Sequence, residues 1–117
     1  MFRSAPEVDQ ALPRLASRVR VDALMRRVAS AGGFATVLAR GDDEAGAIAV
    51  VTREQGVERL HAAVLAMTGR YEFAEMATGD AIAPWIEKAR RRDPDLWIIE
   101  LDIAQAKQFV DEMLSGD

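Results

Sequence analysis

The chain has no cysteine and one histidine among its 117 residues. The first absence excludes disulfides and thiolate metal sites, and it suits a reducing compartment. The second makes His61 the first place to look for acid–base chemistry. It lies in an apolar segment beside Leu60, with no serine or cysteine pattern around it, and reads as a structural or surface histidine. Glycine-rich phosphate loops of both the mononucleotide and dinucleotide types are missing, and so is a nucleophile elbow. The acids lack the spacing of a calcium loop, and no histidine pair exists at helical spacing, so neither a metal nor a cofactor is expected. No apolar run approaches the length of a membrane span. Arg3 and Glu7 interrupt the apolar residues where a signal peptide would need them, so the expected address is the cytoplasm, away from membranes.

What is present is core-forming material. Half of the residues are hydrophobic, enough for a single folded domain with helices on a sheet. The net charge of −4 is unevenly distributed. Residues 1–40 carry seven arginines against three acids, residues 41–80 three against eight, and residues 81–117 five bases against eight acids. Segments of opposite sign pair in a fold more readily than they build a nucleic-acid face. The common RNA modules' aromatic stacking platform is also missing, so nucleic acid is not an expected partner.

Residues 1–12 show no period and contain Pro6, which makes them an expected mobile lead-in to one domain over 13–117. Pro13 suits the first turn of a helix. Leu15, Val19, Leu24, Val28 and Ala31 then form a drifting stripe that Gly32-Gly33 ends. Arg18-Val19-Arg20-Val21 also alternates like a strand, but a helix from about Leu15 to Ala31 is expected. From Phe34 the period is two. Strands are expected over Phe34 to Arg40, Gly46 to Arg53, Val57 to Met67 and Arg70 to Ala77. The turns between them are short, which predicts a four-stranded antiparallel meander.

Ile82, Trp85, Ile86 and Ala89 form a helical stripe, and Ala106, Phe109, Val110, Met113 and Leu114 form another. Between them runs Arg90 to Asp102, RRRDPDLWIIELD. Pro94 disfavours helix at Asp93. The apolar Leu96 to Ile99 that follows predicts an interior strand, with Glu100 and Asp102 marking an acidic end. Because this fifth strand arrives through a helix, it can pair parallel to a meander strand. The whole is an α+β domain with about three helices, in the order α-β-β-β-β-α-β-α. Trp85 and Trp97 read as core rather than site.

Two polar turns could carry chemistry. Arg40-Gly41-Asp42-Asp43-Glu44 is the densest, and its default role is a solvated hairpin. Arg90-Arg91-Arg92 could grip a phosphate or carboxylate, although Asp93 and Asp95 argue for local pairing and capping.

Three stretches carry a family resemblance. They are Ala23-Leu24-Met25-Arg26-Arg27 with Ala31-Gly32, Arg40-Gly41-Asp42-Asp43 with Ala45-Gly46, and Arg92-Asp93-Pro94-Asp95-Leu96-Trp97-Ile98-Ile99-Glu100. On them the chain resembles an uncharacterised family of small alphaproteobacterial proteins, one of the numbered domains of unknown function. The resemblance spans about residues 13 to 110 and implies a complete chain in a bacterial cytoplasm. It implies no mechanism.

The leading expectation is a non-catalytic module that binds another protein or itself, through an edge strand or the last helix. The competing one is a small enzyme or anionic-ligand-binding protein. Its site would gather Arg40, Asp42, Asp43, Arg92, Asp93 and Asp95, which requires the two turns to meet in space. A third is an anionic or nucleic-acid contact through Arg18, Arg20, Arg26 and Arg27.

Overall fold

A computed structural model describes residues 15–115. The expected lead-in over 1–12, the helix start at Pro13 and the Leu114 side chain lie outside the described residues.

Helix α1 (Ser17–Ser30) buries Ser17, Val21, Leu24 and Val28. That stripe differs from the expected one, for Leu15 and Val19 are exposed. The helix begins two residues later than its periodicity suggests, because Ala16 is extended. Among the described residues no side chain caps it. Instead the backbone N–H groups of Ser17 and Arg18 donate to the carbonyls of Glu44 and Asp43, at 3.1 and 2.9 Å. At the other end Gly33 N–H reaches Val28 O and Gly32 N–H reaches Ala29 O, with Gly32 at φ 89°. This paired arrangement needs a left-handed residue, which only glycine adopts cheaply.

The strands are β1 (Phe34–Ala39), β2 (Ile48–Glu54), β3 (Val57–Leu65), β4 (Tyr71–Thr78) and β5 (Trp97–Asp102). Gln55 and Gly56, both at positive φ, make the two-residue turn between β2 and β3. Strand β3 stops at Leu65, short of Met67, which is fully exposed in the next turn. A short 3₁₀ turn (Gly79–Ala81) leads into α2 (Ile82–Arg92), and α3 (Ala106–Ser115) closes the described chain.

The element order and the α+β class are those the pattern predicts. The sheet order is β1-β5-β2-β3-β4. The antiparallel meander runs through β2, β3 and β4, while β5 separates β1 from β2. It pairs antiparallel to β1 and parallel to β2. Packing decides this. Trp97, Ile98, Ile99 and Leu101 are all buried, so β5 needs cover on both faces and a neighbour on both edges. The short connection after β1 therefore steps over the end of β5 instead of forming a hairpin.

Among the described residues, two helices cover one face of the sheet and one covers the other. Against α1 and α3 lie Ile48, Val50, Phe73, Trp97, Ile99 and Leu101. Against α2 lie Ala49, Val51, Leu60 and Ile98, with Trp85 and Ile86 partly buried beside them. Trp97 is 2% exposed and sits in the larger core. No helix among the described residues is long and apolar enough to cross a membrane.

Candidate functional site

The loop after β1 and the Asp-Pro-Asp turn before β5 meet. Asp42 N–H donates to Asp95 O at 3.0 Å, and the indole Nε1–H of Trp97 donates to Asp42 O at 2.7 Å. The approach is close enough to exclude side chains. A Cβ on Gly41 would stand 2.1 Å from Asp95 O, and one on Gly46 would stand 2.2 Å from the same atom. Neither glycine has a positive φ, so it is the missing side chain that fits them here.

The six predicted site residues behave unequally in this clasp. Asp42 Oδ2 accepts the backbone N–H groups of Glu44 and Ala45, at 3.1 and 2.8 Å. Asp93 Oδ1 accepts Asp95 N–H at 3.1 Å, an Asx turn inside a turn closed by Leu96 N–H on Asp93 O. Asp43 pairs with Arg40 at 2.9 Å, and the Arg40 guanidinium lies 5.3 Å from the centre of the Trp97 ring. Asp95 contributes its backbone, while Arg92 is exposed at the end of α2 and takes no part. Brought together, these residues are joined mostly through the main chain, and the Asp42 and Asp93 carboxylates serve backbone donors.

Arg90 is the residue that sequence reasoning missed. Its Nε donates to Leu96 O at 3.2 Å, and its NH2 group donates to Pro94 O and Arg40 O, both at 3.0 Å. One fork thus ties the end of α2 to both turns. Its place in the last helical turn, just before a Pro-containing turn rich in carbonyls, was the available signal. The run of three arginines concealed it.

Elsewhere on the sheet, His61 is 4% exposed, and its Nε2 lies 3.0 Å from Thr52 Oγ1. Its Nδ1 is buried without a hydrogen-bond partner among the described residues. Burial pushes the imidazole pKa down, Lys107 and Arg59 add to that, and Glu75 and Asp111 oppose it. Arg53 bridges Glu58 and Glu100 on the α2 face, and the two carboxylates, Glu58 first, raise its already high pKa. Arg20 of the predicted basic patch turns toward α3, where it donates to Met113 O at 3.4 Å. Among the described residues no group of three or more histidines, aspartates or glutamates could hold a metal ion.

Clefts open on the surface of the described residues. One of about 430 Å³ lies between α1 and the β3–β4 hairpin, lined by Leu15, Ser17, Tyr71 and Phe73 among others. Another, of about 390 Å³, runs between α2 and β1 past Leu38, Val51, Ile82 and Glu100. The two sheet edges differ sharply. Strand β4 carries Glu72 and Glu75 and a register irregularity opposite Leu60/His61. Strand β1, FATVLA, carries no charge, and Phe34, Val37 and Leu38 are exposed along it, Phe34 to 74%.

Fold and clasp together define a small α+β domain in which a mixed five-stranded sheet is pinned by a loop-to-turn contact. The chain belongs to the family described as "Protein of unknown function (DUF1491)", whose model matches residues 15–111. It is similar to the crystal structure of a DUF1491 family protein from Caulobacter crescentus CB15. There the identity is 31% and the TM-score 0.72, over 82% of this chain and 94% of that one. The solution structure of protein Atu0922 from A. tumefaciens is also similar, at 36% identity and TM-score 0.66, over 79% of this chain and 88% of that one. No curated protein matches the chain.

Proposed function

We propose that the chain is a small non-catalytic interaction module whose contact surface is the outer edge of β1. The observation that carries this reading is the state of that edge: six residues without a charge, with Phe34, Val37 and Leu38 exposed. An exposed, uncharged edge strand is a template for another strand, and sheets that must stay alone blunt their edges with charges or bulges. Strand β4 has both devices. The outer edge of β1 has only the irregularity at Leu38, near its end. Added strands gain affinity from main-chain hydrogen bonds, and pockets for alternate side chains give selectivity. The cleft beside Leu38 supplies such a pocket.

The alternative, an anionic-ligand site at the joined turns, draws support from their meeting. It is weakened because Asp42 and Asp93 already serve backbone N–H groups and Arg90 is held by three carbonyls.

Site-specific photo-crosslinking tests the interaction reading. A benzophenone side chain at Thr36 should give covalent protein adducts in cells that make the protein, and one at Glu72 on the β4 edge should not. No adduct from position 36, or the same adducts from both edges, would sink the proposal.

A further inference from the structure

Resting on the reading of β1 as the contact edge, we infer that its occupant is β1 of a second copy, paired antiparallel about a two-fold axis through Thr36.

Side chains directly opposite in an antiparallel pair share a face of the sheet. Ala35 packs toward the core under α1, and Val37 is paired with Ile99, a residue of that same core. Thr36 is paired with Glu100 and Leu38 lines the cleft beside α2, so Phe34, Thr36 and Leu38 share the α2 face. Along the strand the residues then read Phe, Ala, Thr, Val, Leu, with two apolar residues on each side of a central threonine. That apolar and polar pattern is the same in both directions. With Thr36 on the axis, Ala35 falls opposite Val37 of the other copy and Thr36 opposite itself, and Phe34 meets Leu38 where the strand bulges at the end of the pairing. Each exposed apolar residue thereby meets an apolar partner, and every contact occurs twice, as a closed two-fold interface requires. Threonine opposite threonine is itself a favourable cross-strand pair.

Neighbouring registers lose this match. Moving the axis to Val37 sets Phe34 against Arg40, whose guanidinium is already engaged by Asp43 and the Trp97 ring. Moving it to Ala35 sets Leu38 against Gly32, which is outside the strand at φ 89°. The axis at Thr36 instead leaves Arg40 beyond the pairing, facing only that glycine. Two β4 edges fare worse, since an axis near mid-strand sets Glu72 and Glu75 against apolar side chains such as Ala74, Met76 or Tyr71, and the strand is irregular there. The product is one continuous sheet across both copies, with α1 and α3 on the same side in each. A contact of this length is smaller than the ~1,600 Å² of a standard interface, so micromolar rather than nanomolar association is expected.

The absence of native cysteine gives a clean test. Opposite residues in an antiparallel pair have Cα atoms about 4.5–5.5 Å apart, within the range a disulfide bridges. Under copper–phenanthroline oxidation the full chain carrying Thr36→Cys should form a disulfide dimer quickly. Ala35→Cys alone should not, whereas an equimolar mixture of Ala35→Cys and Val37→Cys should. Adding Val37→Lys to Thr36→Cys should abolish the crosslink with the far-ultraviolet circular dichroism unchanged. The inference is overturned if Thr36→Cys oxidises no faster than Glu72→Cys. It is equally overturned if wild-type chain sediments as a monomer up to about 1 mM, well above a micromolar Kd. If position 36 still photo-crosslinks to a different protein, the second copy fails while the β1 edge stands. If it crosslinks to nothing, both fall.

Discussion

Replacing Gly46 by alanine tests the clasp at its tightest point. The new Cβ would lie 2.2 Å from Asp95 O and 2.9 Å from both the N and the O of Asp42. All three are main-chain atoms and none can swing aside. Asp42 N and Asp95 O are the two ends of one hydrogen bond, and Asp42 O accepts the Trp97 indole. Relief therefore means parting the loop from the turn. Losing or badly stretching two such bonds costs about 1 kcal/mol each. Residual overpacking adds roughly 1–3 kcal/mol, for a total of about 3–5 kcal/mol. In a domain of this size that is a fall in thermal midpoint of about 12–20 °C. Urea unfolding followed by tryptophan fluorescence reads it, and Trp97 reports from inside the clasp. Gly56→Ala is the matched control: it has open space around it and φ 78°, so it should cost only about 1 kcal/mol through backbone conformation. If Gly46→Ala proves no more destabilising than Gly56→Ala, the loop and turn are not held as described.

Three further outcomes are expected. Trp97→Phe keeps most of the ring but removes the donor to Asp42 O, costing about 1–3 kcal/mol, and Trp97→Ala should cost about 3–5 kcal/mol in the same urea assay. Arg90→Lys cannot reproduce a fork that reaches three carbonyls; it should lower the urea midpoint clearly, while Arg91→Ala and Arg92→Ala leave it unchanged. The lowered pKa of buried His61 means that the unfolded chain takes up its proton first. The stability this group supports is therefore complete above the ordinary histidine pKa of 6.5 and is lost as pH falls below it. Urea midpoints across that range should show the decline, and His61→Met should flatten that part of the profile; identical profiles would contradict the burial.

Element order and strand positions were legible because hydrophobic period changes at each junction, from helical before Gly32 to alternating after Phe34 and back at Ile82. The interior place of β5 was legible too, since Leu96 to Ile99 leaves no polar face for solvent. What could not be read was which strands it separates. Turn length alone made Phe34–Ala39 and Ile48–Glu54 look like a hairpin, and only the need to cover both edges of β5 overrides that inference. The ligand-site reading requires the two turns to meet, and they do. The roles within that contact were less visible. Carboxylates at such spacing suggest ligands until their backbone donors are known, and two glycines of ordinary φ reveal their purpose only when the opposing carbonyl is in view.

The place of β5 between β1 and β2 has a consequence for synthesis. On the ribosome β1 is made before β2, β3 and β4, but its neighbour in the sheet, β5, is made after all of them. Meanwhile β2, β3 and β4 can pair with one another as they appear. Strand β1 has to wait, uncharged and with both edges open, until β5 arrives to separate it from solvent on one side. A nascent chain of this protein thus carries this uncharged segment without its sheet neighbour until the residues through β5 have been made. Pairing across so long a stretch of sequence is intrinsically slow, so the yield of folded protein should depend on synthesis rate and on chaperone capture of this segment more than the stability of the finished domain would suggest.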